Sequence, residues 1–156
     1  ADLAPCQLGV GTAGGVEPIV WKVQDAFTDN SNGAFLFLDL ANAFNTIDRR
    51  HLDSAIRDYN RPLSRAARWA YGSPSPLFMR TESGKVEEAL TSSQGVRQGD
   101  PLGPLFFSYA YRARIERIKT LLASKRAELW AYLDDTVVWL PHDAQSSVPL
   151  REQAQQ

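Results

Sequence analysis

The sequence is poor in the residues that form covalent cross-links and soft-metal sites. Cys6 is the only cysteine among 156 residues. A single cysteine excludes a disulfide within the chain and a metal site built on cysteines. This composition fits a reducing, intracellular setting, and we expect the protein in the nucleus or the cytoplasm. The two histidines, His51 and His142, belong to no motif, and we expect both at the surface.

Long apolar runs are also missing. No stretch of eighteen apolar residues occurs, so the sequence predicts no transmembrane helix and no membrane partner. No secretory signal opens the chain. The first residue is Ala1 rather than methionine, which indicates a piece of a longer protein or a processed product, and we expect the remainder of a longer polyprotein. With 44% apolar and 22% charged residues, the composition is that of a globular domain with its own core.

The charges are unevenly distributed, although the net charge is only −1. Residues 1–48 hold one basic and six acidic residues, residues 49–126 hold fifteen basic and seven acidic residues, and residues 127–156 hold one basic and five acidic residues. A basic middle between acidic ends suits a track for a polyanion beside a cluster of metal-binding carboxylates. The alternative is that the arginines between positions 49 and 68 only cover solvated helix faces.

Apolar periodicity and turn residues predict an α+β fold. The predicted elements are helices at 16–27, 48–59, 64–71 and 101–122, a short buried strand at 34–38, and hairpins at 76–90 and around positions 134 and 135. Asp100 followed by Pro101 marks the start of the last helix, because a capping side chain precedes proline at the first helical position. This order of elements predicts a small antiparallel sheet with helices packed on one face.

Three aspartates stand at the ends of predicted strands. Asp39 follows the run FLFL, and Asp134 and Asp135 follow LWAYL. Aspartate is a common turn residue, so an ordinary hairpin turn is one interpretation of the pair. If the strands are neighbours, about 4.8 Å apart, Asp39 and Asp134 face each other at the edge of the sheet. Carboxylates held so close repel unless a cation neutralises them, and oxygen ligands of this kind favour Mg²⁺.

Three motifs follow one another along the chain: FLFLDLANAFNTID, SSQGVRQGDPLGPLFF and AYLDD. In this order they resemble the three palm motifs of reverse transcriptases, in the form found in non-LTR retrotransposons. The resemblance covers residues 8–140 and implies an RNA-directed DNA polymerase with a palm-like antiparallel sheet. Residues 1–156 would then be a partial reverse transcriptase domain, with a fingers and palm lead-in at 1–33, the palm at 34–140 and a polar tail at 141–156.

The resemblance assigns the aspartates to two-metal nucleotidyl transfer. Asp39 and Asp134 match the residues that bind both Mg²⁺ ions, with the carbonyl of Leu40 as a further ligand and Mn²⁺ as the alternative ion. Asp135 matches the outer member of the pair, which orients the site more than it ligates. In such a site one ion serves the attacking 3′-hydroxyl and the other serves the leaving pyrophosphate.

Residues that follow the first aspartate match a nucleotide-binding segment of the family. Phe44, five residues after Asp39, matches the bulky residue that blocks a ribose 2′-hydroxyl. The alternative for Phe44 is a plain position in the core. The backbone N–H groups of Asn42 and Ala43 match those that meet the incoming triphosphate.

The second and third motifs complete the implied site. Gln98 and Gly99 match the turn that lies against the incoming nucleotide and the template, and a glycine there lets the backbone approach closely. The alternative for Gln98 is an ordinary surface loop. Tyr132 and Leu133 match the residues that lie under the primer end.

The implied partners are an RNA template, a DNA primer and dNTP. An RNA-directed RNA polymerase shares the palm and the double-aspartate turn, but Phe44 argues against it because a ribonucleotide enzyme needs room there. A catalytically inactive retroelement remnant is a further interpretation. The intact aspartates of the first and third motifs argue against a remnant that has accumulated mutations for a long time.

The sequence also departs from the family pattern. Gly103 stands where many relatives carry serine. The basic fingers residues that hold the triphosphate, the lysine-bearing motif after the hairpin and the thumb do not occur within the 156 residues. The resemblance therefore implies incomplete fingers and no thumb, and we expect the isolated chain to be inactive.

Overall fold

The computed structural model describes residues 3–29 and 32–142 of the chain. Their helices are α1 (Val16–Asp29), α2 (Ala43–Thr46), α3 (Arg49–Tyr59), α4 (Ser64–Tyr71) and α5 (Gly103–Leu122). The strands are β1 (Ala34–Leu38), β2 (Ser75–Arg80), β3 (Val86–Ser92), β4 (Glu128–Tyr132) and β5 (Asp135–Leu140). The residues divide into two compact units, one of Asn42–Ala110 and one of the residues up to Ala41 together with those from Tyr111 onward.

The first unit packs helices around a set of aromatic and aliphatic side chains. Helix α3 buries Leu52, Ala55 and Ile56 along one face, as its 3.6-residue period requires. The same unit contains the antiparallel pair β2–β3. Further buried side chains of this unit are Ala67, Tyr71, Val96, Phe106, Phe107 and Tyr109.

The second unit contains an antiparallel sheet in the order β1-β5-β4. The central strand β5 is the most buried, and the hydroxyl of its Thr136 lies 3.0 Å from the hydroxyl of Tyr111 on α5. Trp139 of β5 leaves no space for a side chain at Gly33, because a Cβ there would lie 1.8 Å from the indole ring. Helix α5 therefore contacts a sheet whose central strand is mostly buried.

The N-terminal segment lies along β4. The N–H of Leu8 donates to the Ala131 carbonyl at 2.8 Å, and the Ala131 N–H donates to the Cys6 carbonyl at 2.6 Å. This short parallel bridge brings residues 6–8 beside the strand that leads into the aspartate pair. Residues far apart in sequence thus become neighbours at the sheet edge.

The structure confirms the α+β class and most predicted elements. The helices predicted at 16–27, 48–59 and 64–71, the strand at 34–38 and both hairpins are present with small shifts at their ends. His51 and His142 are exposed, as predicted. No described helix is long and apolar enough to span a membrane. The predicted polar tail lies outside the described residues beyond His142, and the division at 1–33, 34–140 and 141–156 stays a prediction.

Three details of the prediction are wrong. Helix α5 begins at Gly103 rather than Pro101, because the Asp100 carboxylate accepts the Leu102 N–H at 2.9 Å and shapes a turn before the helix. Strand β1 is not buried, since the side chain of Phe37 is 69% exposed. The four-residue helix α2 was not predicted, because one turn shows no apolar period.

Candidate active site

Two of the predicted site residues lie at the same end of paired strands. In the antiparallel pair β1–β5, Leu38 is the last residue of β1 and faces Thr136. Asp39 follows Leu38 directly, and Asp135 begins β5 directly before Thr136. Neighbouring strands are about 4.8 Å apart. The register therefore brings Asp39 and Asp135 to one end of the sheet.

Asp134 lies in the two-residue turn between β4 and β5. Tyr132 pairs with Asp135, which leaves Leu133 and Asp134 as the turn. Leu133 has a φ of 56°, a left-handed conformation that is unfavourable for a leucine. Strained backbone of this kind persists only where the surrounding structure fixes it, and it concentrates at functional sites. The position of Asp134 thus depends on contacts that hold the Leu133 backbone.

A buried glutamine supplies those contacts. Gln7 is 1% exposed. Its Oε1 accepts a hydrogen bond from the Leu133 N–H at 2.7 Å, and its Nε2 donates to the Leu133 carbonyl at 2.8 Å. Gly9 allows this close approach, since a Cβ there would lie 2.6 Å from the Leu133 nitrogen. Sequence reasoning missed Gln7, because no local pattern marks a glutamine whose partner is 126 residues away.

Within the described part of the chain, the aspartates of the site have no partner of opposite charge. Asp39 and Asp135 are exposed and Asp134 is half-buried, and no described residue forms a hydrogen bond or an ion pair with their carboxylates. Within residues 3–29 and 32–142, no three acidic, histidine or cysteine side chains converge as a metal site. Mg²⁺ usually takes one or two carboxylates and completes its shell with water and substrate phosphate. The unpaired oxygen donors at this end of the sheet fit such an ion.

The loop of the second motif, residues 94–100, is bonded to α2 within the first unit. The Val96 N–H donates to the Phe44 carbonyl at 2.7 Å. Gly95 has a φ of 72°, and a Cβ there would lie 2.4 Å from the Asn45 carbonyl oxygen. Only glycine fits at this position, because both the backbone conformation and the close approach exclude a side chain.

The predicted nucleotide-binding side chains of the first unit are at its surface or partly exposed. Gln98 and Gly99 form an exposed turn, in which Gly99 has a φ of 84°. Phe44 is half-buried, and its ring stacks on the buried ring of Phe107 at a centroid distance of 4.4 Å. The stacking fixes the orientation of Phe44 without enclosing it.

The remaining predicted residues lie at element ends. Asn42 adopts a left-handed conformation, with φ 53°, and precedes the buried Ala43 at the start of α2. Tyr132 is half-buried at the end of β4. Asn42 and Ala43 belong to the first unit, whereas the aspartates and Tyr132 belong to the second.

Comparison with known proteins identifies a matching family and several similar proteins. Residues 7–155 match the family model described as reverse transcriptase (RNA-dependent DNA polymerase). The chain is also similar to the retrotransposable element SLACS 132 kDa protein of Trypanosoma brucei gambiense, with 33% identity over 144 residues. That alignment covers 91% of this chain and only 12% of the relative.

Two solved telomerase structures share the fold. The telomerase of Candida albicans, in complex with the TWJ fragment of telomeric RNA, has a TM-score of 0.70 and 11% identity, covering 96% of this chain and 28% of that one. The apo telomerase of Candida tropicalis, truncated from its C-terminal domain, has a TM-score of 0.59 and 14% identity, covering 86% of this chain and 30% of that one. These likenesses confirm the palm-like α+β fold.

Motifs, fold and family match agree with one another. The match spans nearly the whole chain, and the similarity to a retrotransposable-element protein confirms the prediction of the non-LTR type. The chain belongs to the reverse transcriptase (RNA-dependent DNA polymerase) family.

Proposed function

We propose that the protein is an RNA-directed DNA polymerase that joins dNTP to a primer 3′-hydroxyl by nucleotidyl transfer. The family membership supports this function. The observation that carries it is the placement of Asp39 and Asp135 at one end of paired strands, with Asp134 in the adjoining turn. Transfer of a phosphoryl group depends on positioned charge rather than on covalent chemistry by the protein. An RNA template and a DNA primer are the proposed partners, and a longer polyprotein the proposed parent.

Two Mg²⁺ ions, which Mn²⁺ can replace, are the proposed cofactors. Reverse transcriptases use divalent metal ions. Asp39, Asp134 and the carbonyl of Leu40 are the proposed ligands, and their oxygen donors fit this class of cation. When bound, the ions supply stabilisation of the attacking and leaving oxygens. Asp135 orients the site from the first position of β5.

The chain itself positions the primer end and the aspartates. Gln7 holds the Leu133 backbone through two hydrogen bonds, so the turn presents Asp134 in one conformation. Tyr132 and Leu133 lie under the primer end in this proposal. A fixed turn places the 3′-hydroxyl next to the carboxylates without an ordering cost at each cycle.

The residues of the first unit select and orient the nucleotide. Phe44 limits the space for a ribose 2′-hydroxyl, and its stacked ring cannot turn away freely. Gln98 and Gly99 lie against the nucleotide and the template. The backbone N–H groups of Asn42 and Ala43 meet the triphosphate.

Primer extension by the full-length protein tests this function. With Mg²⁺ and a primed RNA template, we expect extension by dNTP and much weaker extension by rNTP. Efficient extension by rNTP would instead identify an RNA-directed RNA polymerase. No extension with either nucleotide, by a protein that is folded and binds the primed template, would identify an inactive remnant.

A further inference from the structure

Arg49 binds the start of the second-motif loop with its whole guanidinium group. Its Nε donates to the Gly95 carbonyl at 3.0 Å, and its Nη1 donates to the Ser92 carbonyl at 2.9 Å. Its Nη2 donates to the Ser92 hydroxyl at 2.7 Å and to the Gln94 carbonyl at 3.1 Å. Three carbonyl groups of the chain segment 92–95 therefore converge on one side chain.

Arg49 is buried although it is the first residue of α3, where an arginine side chain can extend into solvent. Arg49 is 9% exposed, whereas the side chain of its neighbour Arg50 is 90% exposed and pairs with Asp48. Burial, together with the charge of Arg97, lowers the pKa of Arg49. Burying a charge is costly unless hydrogen bonds compensate. The four bonds to the segment 92–95 supply that compensation.

The other end of the loop is fixed through Tyr71. The guanidinium carbons of Arg49 and Arg97 each lie 5.3 Å from the centre of the Tyr71 ring. The Tyr71 hydroxyl donates to the Asp100 carboxylate and accepts the Arg97 N–H at 3.2 Å. The Arg97 Nη2 also donates to the Ala70 carbonyl at 2.8 Å. The Tyr71 ring thus connects Arg49, which binds the start of the loop, with Arg97 and Asp100, which flank its exposed tip.

The tip of the loop lies between these two attachments. Gln98 and Gly99 are exposed, while Val96 is buried and bonded to the Phe44 carbonyl. We infer that Arg49 is a positioning residue for the incoming nucleotide, because it joins the start of the loop that carries Gln98 and Gly99 to α3. This inference rests on the proposed function. A preorganised loop binds nucleotide without losing conformational freedom at that step.

The test compares two neighbouring arginines in the full-length protein. In Arg49→Lys the charge remains, but a single ammonium group cannot bind three carbonyls in a fixed fork. We expect the KM for dNTP to rise about tenfold, the scale of one lost hydrogen bond to a charged group. We also expect faster amide hydrogen exchange in the segment 92–97, with kcat and primer–template affinity kept. Arg50→Lys, which changes an exposed residue, should match the wild type in every readout.

Two results would overturn the inference. One is an unchanged KM with unchanged exchange in Arg49→Lys. The other is faster exchange throughout the first unit with a loss of kcat, which would make Arg49 a residue of general stability. If Arg49→Lys does not fold, Tyr71→Phe replaces it: this variant keeps the ring but loses the bonds to Asp100 and Arg97, and it should raise the KM for dNTP by a smaller factor. A wild-type protein that incorporates no nucleotide refutes the proposed function itself, and the nucleotide role of Arg49 falls with it.

Discussion

At the residue scale, the position of Asp134 depends on a glutamine at the other end of the chain. Gln7 satisfies both backbone groups of Leu133, a residue in a left-handed conformation. Without those bonds the turn would relax toward a less strained geometry and move the neighbouring carboxylate. The hydrogen bonds of one buried amide therefore connect the stability of the turn to the position of Asp134, a proposed metal ligand.

The variant Gln7→Met keeps the volume and removes the hydrogen bonds. We expect unfolding free energy to fall by about 1–3 kcal/mol, because the Leu133 N–H and carbonyl lose their partners, and kcat to fall with it. Urea unfolding of the full-length protein measures the change in unfolding free energy, and single-turnover primer extension measures the change in rate. Gln24→Met, at an exposed position of α1, is the matched control. Equal behaviour of the two variants would refute the role of Gln7.

Phe44 determines which sugar the site accepts, in the function proposed here. In Phe44→Val we expect discrimination against rNTP to weaken by about 1–3 kcal/mol, the scale of steric selection in pockets. Ratios of kcat/KM for a dNTP and the matching rNTP give this number. Phe78→Val, at a 64% exposed position of β2, is the control. If the ratio stays unchanged in Phe44→Val, Phe44 belongs to the core alone.

The ion pair at the start of α3 makes a pH-dependent contribution to stability. Hydrogen bonds and charge from Arg50 lower the pKa of Asp48 from 3.8 to about 2. Since the folded-state pKa is depressed, this contribution is fully present above pH 3.8 and is lost as the pH falls toward 2. In Arg50→Ala, an NMR titration of the Asp48 carboxyl should show a pKa shifted back toward 3.8. Arg57→Ala should leave the titration unchanged, and an equal shift in both variants would refute the assignment.

At the element scale, the sequence predicted what short-range patterns encode. Helix α3 was predictable, because Asp48 caps it and its apolar residues recur with the helical period. The aspartates at the ends of β1 and β4 were predictable because each follows an apolar run. Gln7 and Arg49 were not, since their partners lie far away in sequence and neither residue type signals a loop contact. The exposure of β1 also depends on packing, which an apolar run alone does not reveal.

The pairing of β1 with β5 depends on a glycine before β1. In Gly33→Ala, the new Cβ would meet the ring of Trp139, which is 6% exposed and has little room to move. We expect unfolding free energy to fall by about 3 kcal/mol, at the upper end for an overpacked site. Gly11→Ala is the control, because the new Cβ would meet no atom within 4 Å. This variant only strains a backbone of φ 75°, and we expect it to lower the unfolding free energy by about 1 kcal/mol. Equal losses of unfolding free energy in the two variants, measured by urea unfolding, would contradict the close packing of Gly33 against Trp139.

At the scale of the whole molecule, several basic side chains in the middle of the chain are bonded to other groups of the same chain. Arg49 holds a loop, Arg50 pairs with Asp48 at 2.7 Å, and Arg57 pairs with Asp53 at 3.0 Å. The density of arginine in this region therefore does not translate directly into a surface for a polyanion. The chain spans only 12% of the retrotransposon relative. Binding of template and primer is therefore measured on the full-length protein.

The proposed function requires that the aspartates at the end of the sheet hold the metal ions of a polymerase. The measurement that tests it most directly is primer extension on an RNA template with Mg²⁺, by the full-length protein and its Asp134→Asn variant. The exchange keeps the shape of the side chain and removes the charge that attracts the cation. We expect extension to disappear in Asp134→Asn while the protein stays folded, and to persist in Asp25→Asn, a control at an exposed position of α1. Extension at the wild-type rate by Asp134→Asn would contradict the account.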